Sequence, residues 1–287
     1  FDGGPVPADR ENDTPDAHVS ASVSDFLKNP PAEPFFCAAG FYKPHLPWHA
    51  PQRFFDLYDV NQIALPLVKQ NDLDDVPPIG REWALSPRDH ELITSRAQWP
   101  QAVQGYLASI SYADELIGRV IDVLDATGLA ASTYVVLWGD NGFHLGEKLH
   151  WRKFVLWEEA TRVPLIVVPP TAQARPRRVY EPVSLVDIFP TLIELGGVAE
   201  TPACDGFSLA PLLTRDDARR PTGVVTTWGR GNHSLRADHW RFTRYSDGGE
   251  ELYEQTADPY EWTNLASDPA FRPICAQLKA FLPHDLD

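Results

Sequence analysis

Two short stretches of this chain set acids, amides, imidazoles and ammonium groups at the ends of apolar runs. In the first, Val135-Val136-Leu137-Trp138 delivers Gly139-Asp140-Asn141-Gly142, and the chain continues through Phe143-His144-Leu145-Gly146-Glu147-Lys148-Leu149-His150-Trp151-Arg152-Lys153. The carboxylate of Asp140 beside the carboxamide of Asn141 offers two hard oxygen donors, which suit calcium or magnesium. The two histidines, two lysines and arginine that follow are able to surround an anion. Asp-Asn-Gly equally fits a β-turn leading into a solvated basic loop, because each of these residues favours turns. In the second stretch, Lys43-Pro44-His45-Leu46-Pro47 follows the apolar run Pro34–Phe41. Prolines on both sides of His45 restrict its backbone and hold the imidazole in place, which serves a proton donor or an anion ligand. A packed loop histidine gives the same pattern.

The elements that position these groups can be read from periodicity. Pro34–Phe41 is a short apolar run bounded by Pro and Gly, which predicts a strand buried on both faces. Thr133–Trp138 and Val163–Val168 predict two more. Between them, Val103, Leu107, Ile110, Leu116, Ile117, Val120, Ile121 and Leu124 make one stripe at three- and four-residue spacing. That stripe predicts a helix over about Pro100–Thr127, with Pro near its first turn and Gly128 just past its end. Further helices are expected at His18–Lys28 and Leu185–Leu195, and residues 60–95 read as irregular and acidic. Helices alternating with continuously apolar strands predict an α/β fold, a mainly parallel sheet flanked by helices. In such sheets ligands bind beyond the carboxyl ends of the strands, where Asp140 and His45 fall. From Val224 the pattern shifts to short runs, Val224–Trp228, Ser234–Ala237, Trp240–Tyr245 and Glu251–Tyr253, separated by turn residues. These predict a small C-terminal antiparallel meander, closed by a helix over Phe271–Leu282. The expected organisation is residues 1–222 as part of an α/β domain and 223–287 as the antiparallel subdomain.

Composition narrows the function. With 287 residues and 43% hydrophobic content the chain can bury a large core. A net charge of −15 disfavours nucleic acid or an anionic membrane as a general partner. No stretch reaches the roughly 18–20 apolar residues of a membrane span. Cys37, Cys204 and Cys275 have no metal or redox spacing and read as small buried hydrophobes with at most one disulfide. The 27 prolines predict many loops on a rigid scaffold. The chain contains no Met and opens at Phe1, so the expectation is a processed or truncated N-terminus.

Taken together, these stretches resemble the type I sulfatases of the alkaline phosphatase superfamily. Trp138–Glu147, with Lys153 thirteen residues after Asp140, resembles their second metal-binding segment. Gly40-Phe41-Tyr42-Lys43-Pro44-His45-Leu46-Pro47 resembles the Lys-Pro-His-x-Pro loop of the iduronate-2-sulfatase-like branch. Thr161–Leu165, Val186–Leu192, Asp205–Leu209, Glu251–Tyr253 and Asp258–Leu265 follow in the family's order. The resemblance implies that Asp140 and Asn141 ligate calcium, with magnesium as the alternative. It implies that His45 and Lys153 hold the sulfate and stabilise or protonate the leaving oxygen. Lys43 and His144 are implied as further substrate contacts. The implied partner is a sulfated carbohydrate or small organic sulfate, and the implied location of the full-length protein is periplasmic or secreted. Trp48 and Trp228 could stack on a sugar ring, or simply pack.

The family attacks sulfate with a formylglycine made from Cys or Ser in a Cys-x-Pro-x-Arg context. None of the three cysteines has that context: Cys37 precedes Ala-Ala-Gly, Cys204 precedes Asp-Gly-Phe, and Cys275 precedes Ala-Gln-Leu. The formylglycine and the remaining metal carboxylates are therefore expected in an N-terminal segment outside this chain, which by itself would be inactive. The implied reaction is covalent sulfate-ester hydrolysis. Phosphate or phosphonate ester hydrolysis on the same architecture is one alternative, and a non-catalytic pseudo-sulfatase is another. Asp-Asn at 140–141, where a zinc site would favour an imidazole, leans toward the sulfatase.

Overall fold

The stripe from Val103 to Leu124 winds as one 28-residue helix, Trp99–Ala126, in a computed structural model that describes residues 2–170, 176–199 and 202–283. In chain order the elements are β1 (Gly3–Val6), α1 (Pro15–Lys28), β2 (Trp48–Pro51), α2 (Gln52–Phe55), α3 (Pro78–Leu85), α4 (Asp89–Ser95) and α5 (Trp99–Ala126). Then come β3 (Val135–Trp138), β4 (His144–Leu145), β5 (Trp151–Arg152), α6 (Glu158–Thr161) and β6 (Leu165–Val168). The last part holds α7 (Ile188–Leu195), α8 (Ala210–Thr214), β7 (Val224–Thr227), β8 (His233–Ala237), β9 (Trp240–Arg244), β10 (Glu250–Glu254) and α9 (Arg272–Lys279). The chain forms two compact units. One comprises Phe1–Pro66, Glu91–Val135 and Val167–Ala174, and the other Leu67–His90, Val136–Ile166 and Arg175–Asp287.

In the first unit α1 lies along α5, and Ala17, Ala50, Phe54, Ala108, Tyr112 and Leu116 form its core. The small residues Ala17 and Ala108 let the two helices approach, and Ser20 Oγ donates to the Leu116 carbonyl at 2.9 Å. β1 and β2 pair in parallel, with Gly3 opposite Trp48. Gly105 on α5 makes room for Trp48, whose Cβ lies 3.2 Å from where a Cβ on Gly105 would sit.

In the second unit β7 to β10 form an antiparallel meander in the order β10-β9-β8-β7. Its alternation is regular: Leu235, Phe242 and Leu252 share one buried face and pack on Cys275, Leu278 and Leu282 of the C-terminal segment. The opposite face carries buried charge. Arg241 pairs with Glu261 at 2.6 Å, both side chains nearly inaccessible. Glu251, fully buried, accepts from Trp157 Nε1 at 2.8 Å and from the hydroxyls of Tyr245 and Tyr253. Polar groups are tolerated at this depth because each finds partners. A second core joins Leu73, Val76, Ala84, Val155, Trp157, Ala160 and Tyr253. Helix α7 is entered through a 3-10 turn with a capping box, Ser184 and Asp187 each bonding the other's backbone N–H. Asp187 is wholly buried and is neutralised by Arg220 at 2.8 Å.

The mixed α/β character and the C-terminal meander agree with the reading from periodicity, and four expectations are corrected. Pro34–Phe41 is no buried strand: apart from the half-buried Phe35 and Phe41 it is exposed, Phe36 by 77%. A strand needs a ladder partner, and among the described residues this run has none; Phe35 instead packs edge-on against Phe26 of α1. β3 and β6 do pair in a two-stranded sheet, but Leu137, Trp138, Ile166 and Val168 are each more than a third exposed. Residues 60–95 contain α3 and α4, and Asp72 within the acidic run is buried against Lys148. Cys37 and Cys204 are exposed, Cys275 is buried, and all three are free thiols.

Candidate functional site

Asp140 and Asn141 sit where the sequence puts them, immediately beyond β3. Backbone bonds clamp the turn on both sides: Gly139 N–H donates to the Pro164 carbonyl at 3.1 Å, and Gly142 N–H to the Ala160 carbonyl at 2.9 Å. Gly142 is obligatory here, because a Cβ would lie 1.9 Å from the Glu159 carbonyl oxygen. Asp140 is exposed and Asn141 half-buried. One Asp140 oxygen accepts from its neighbour's N–H at 2.9 Å, and Asn141 donates its Nδ2 to the Gly142 carbonyl at 2.8 Å. With its amide nitrogen engaged, Asn141 keeps its side-chain oxygen as a further acceptor.

These donors fit a hard cation in type but not in number. Calcium takes about six to eight oxygens. Among the described residues no group of three or more His, Cys, Asp or Glu is arranged to hold a metal. Asp140 and Asn141 are at most part of a site.

Most of the basic run after Asn141 has structural work. Lys148 is buried, bonded to Asp72 at 2.9 Å and to the Glu261 carbonyl. Arg152 pairs with Asp89 at 2.6 Å. His144 in β4 is fully buried, its Nδ1 3.1 Å from the Glu147 carbonyl and its ring 5.3 Å from that of His150. Burial first, and the neighbouring His150 second, hold His144 neutral well below the usual imidazole range. Its Nε2 is buried with no hydrogen-bond partner among the described residues. The ring is walled off, so His144 is not presented to a substrate in this conformation. His150 is buried likewise, with Nδ1 3.0 Å from the Ala84 carbonyl, and burial brings its pKa down to about 4. Lys153 differs from these. It is half-buried, and among the described residues its ammonium has neither ion pair nor hydrogen bond. Lys148 and Arg152, the other lysine and arginine of this segment, are both neutralised.

Lys43 and His45 belong to the first unit. The loop that carries them is tied to α1 by Asp16, whose buried carboxylate accepts the N–H groups of Tyr42 at 2.8 Å and Lys43 at 2.9 Å. Sequence reading gave no sign of Asp16, since its partners are 26 and 27 residues away. Lys43 turns its ammonium onto the carbonyls of His45 and Pro47, bracing the loop from within. Burial lowers its pKa, and Asp16 partly opposes this. His45 is exposed, its Nδ1 2.6 Å from the Leu46 carbonyl and its ring tilted against Tyr42 at 4.8 Å. Nε2 has no hydrogen bond or ion pair among the described residues. Of the two tryptophans, Trp48 is 2% exposed with its indole N–H on the Pro44 carbonyl, which rules out a sugar platform. Trp228 is 42% exposed and stacked on Phe154.

Comparison with known proteins adds to this geometry. Residues 6–198, more than half of the chain, match the family model described as Sulfatase. Residues 146–285 match the one described as N-sulphoglucosamine sulphohydrolase, C-terminal. A sulfatase from Formosa agariphila is 36% identical over 95% of this chain and 54% of its own length. The delta 4,5-hexuronate-2-O-sulfatase of Bacteroides thetaiotaomicron is 29% identical over 90% of this chain and 58% of its own. The crystal structure of the phosphonate monoester hydrolase of Agrobacterium radiobacter superposes with a TM-score of 0.79 at 19% identity, covering 94% of this chain and 60% of that one. The chain thus spans little more than half the length of the curated relatives it matches.

Proposed function

The chain belongs to the sulfatase family, and from that premise we propose that it is part of a sulfuric ester hydrolase acting on a sulfated carbohydrate. The observation that carries the proposal is Lys153, whose ammonium has no partner among the described residues while Lys148 and Arg152 are neutralised by Asp72 and Asp89. In a chain of net charge −15 an uncompensated lysine in a half-buried position is held for a negative ligand. The hexuronate sulfatase relative supports a sugar as the alcohol part. The Lys43–Pro47 loop supports the iduronate-2-sulfatase-like branch.

Within this reading Asp140 and Asn141 hold part of a calcium site, which when filled supplies charge against the sulfate oxygens. Lys153 faces the transferring sulfate, where negative charge grows as the ester bond breaks. His45, protonated at both ring nitrogens, gives its Nε2 proton to the departing alkoxide while Nδ1–H stays on the Leu46 carbonyl, leaving a neutral imidazole. The attacking formylglycine and the other metal carboxylates belong to a segment preceding residue 1, and residues 1–222 and 223–287 are the catalytic remainder and its antiparallel subdomain. The alternative is phosphonate ester hydrolysis, favoured by the fold of the Agrobacterium radiobacter enzyme.

The test uses the natural full-length protein. Lys153→Ala is expected to lower turnover of a sulfate ester by about a hundredfold or more, as loss of a charge stabiliser does, with an unchanged circular dichroism spectrum. Turnover within twofold of the parent would remove Lys153 from the site. A phosphonate monoester hydrolysed faster than any sulfate ester would favour the alternative.

A further inference from the structure

Phe154 follows Lys153 directly, and its exposure is out of keeping with its neighbours. Trp151, Val155, Leu156 and Trp157 are each 4% exposed or less, yet Phe154 is 47% exposed. Its ring is matched by Trp228, 74 residues on, with ring centroids 5.0 Å apart and planes 29° from parallel. Trp228 is itself 42% exposed, so stacking covers only part of either ring.

Trp228 is no loose end. It stands just past β7, and its N–H donates to the Asn232 carbonyl at 3.2 Å, closing a tight turn. Gly229 and Gly231 take positive φ in that turn, 69° and 76°, as glycine readily can. Asn232 is buried at its base, donating to the Arg230 carbonyl and accepting from Ser246 N–H, both at 3.0 Å. The turn fixes the backbone of Trp228 and the stack on Phe154 orients its ring, so little freedom remains to be lost on binding.

We propose that Phe154 and Trp228 form the platform for the sugar ring of the substrate, beside the sulfate-binding Lys153; this rests on the sulfatase reading above. A pyranose presents an apolar C–H face to an aromatic surface, while its sulfate needs a cation. The exposed aromatic pair and the unpartnered ammonium on adjacent residues meet both requirements. A purely apolar protein segment covering the rings would leave the Lys153 ammonium unmatched, so a small anionic ring is the better occupant.

The experiment compares sugar sulfates with a sulfate that has no ring. The natural full-length protein is assayed on ethyl sulfate and on glucose and glucosamine sulfated at O2, O3, O6 or N2. Trp228→Ala and Phe154→Ala are expected to raise KM for the sugar sulfate about fivefold to tenfold, as loss of an aromatic contact does. kcat should stay within twofold and ethyl sulfate should be unaffected. Trp228→Phe, which keeps an aromatic face, should recover most of the loss and guards against a folding defect. Equal effects on ring and ringless substrates, or no effect on either, would overturn the platform. So would turnover of ethyl sulfate with no sugar sulfate accepted, or a lowered Tm as the sole consequence of Trp228→Ala. Lys153→Ala separates the two readings. Unchanged turnover in that variant refutes the sulfate site, whereas an altered ratio of sugar to ethyl sulfate in Trp228→Ala reports on the platform alone.

Discussion

At the scale of single residues, the segment from Lys148 to Lys153 divides charged groups into those the fold consumes and the one it leaves. Buried imidazoles belong to the first kind and make a measurable pH dependence. His150 titrates at about 4 in the folded protein against an ordinary value of 6.5, burial being the main cause and Arg152 adding to it, while the Ala84 carbonyl and Asp89 pull the other way. Between those two values the unfolded chain takes up a proton that the folded chain excludes, so stability is full above pH 6.5 and falls as pH falls. At pH 5 the loss from His150 is about 2 kcal/mol. His144 contributes with the same sign. Glu147, Glu159, Glu261 and Asp72 are held above the usual carboxylate range by burial, and they oppose it, gaining stability as they protonate. The difference between variants isolates the histidine. In His150→Gln, whose amide can still donate to the Ala84 carbonyl, the stability lost between pH 7 and pH 5 in urea unfolding should be about 2 kcal/mol smaller than in the parent. An equal loss in both proteins would show that His150 does not titrate in this window.

At the scale of elements, periodicity served where the environment of an element is local. α5 follows its stripe to within a residue or two of the expected ends, because one face of it packs on α1 and the capping signals are in the sequence. The four strands of the meander likewise follow their alternation, since hairpins pair neighbours in the chain. Pro34–Phe41 misled because an apolar run specifies burial but not a partner, and pairing is a long-range property. The same reason hid Asp16, Phe154 and the Lys148–Asp72 pair, each defined by a residue far along the chain. The turn at Asp140 directly after β3 was legible, since the strand and the turn residues that follow it lie within one segment. The turn that presents Asp140 makes a further test possible. A Cβ at position 142 would collide with the Glu159 carbonyl at 1.9 Å, and backbone cannot yield as a flexible side chain can. Gly142→Ala must therefore break the Gly142–Ala160 bond and shift Asp140 and Asn141. The expected outcome is destabilisation by roughly 2–4 kcal/mol, together with loss of activity in the full-length protein. A variant of parental stability and activity would show that the clamp does not position the pair.

At the scale of the whole chain, the question is what surrounds β3 and β6. Their residues are apolar on both faces, and Leu137, Trp138, Ile166 and Val168 stay 36–49% exposed, as does Phe36 to a greater degree. Strands apolar on both faces usually have both faces covered, and exposed apolar surface on a strand pair is a mark of an interaction site or of an aggregation hazard. Each of these side chains forgoes on the order of 1 kcal/mol or more of burial. For residues 1–287 produced by themselves, the cheapest remedy is contact with another copy. Sedimentation velocity should accordingly show concentration-dependent association in the micromolar range, and a hydrophobic dye should bind the chain strongly. Replacing Ile166 and Val168 by Lys puts charge on the exposed strand and should return the chain to a monomer with weak dye binding. On the reading proposed above, in which a further segment covers this surface, the natural full-length protein should bind the dye weakly without any substitution. A monodisperse, dye-silent monomer of residues 1–287 would mean that the exposed apolar residues of β3 and β6 need no cover.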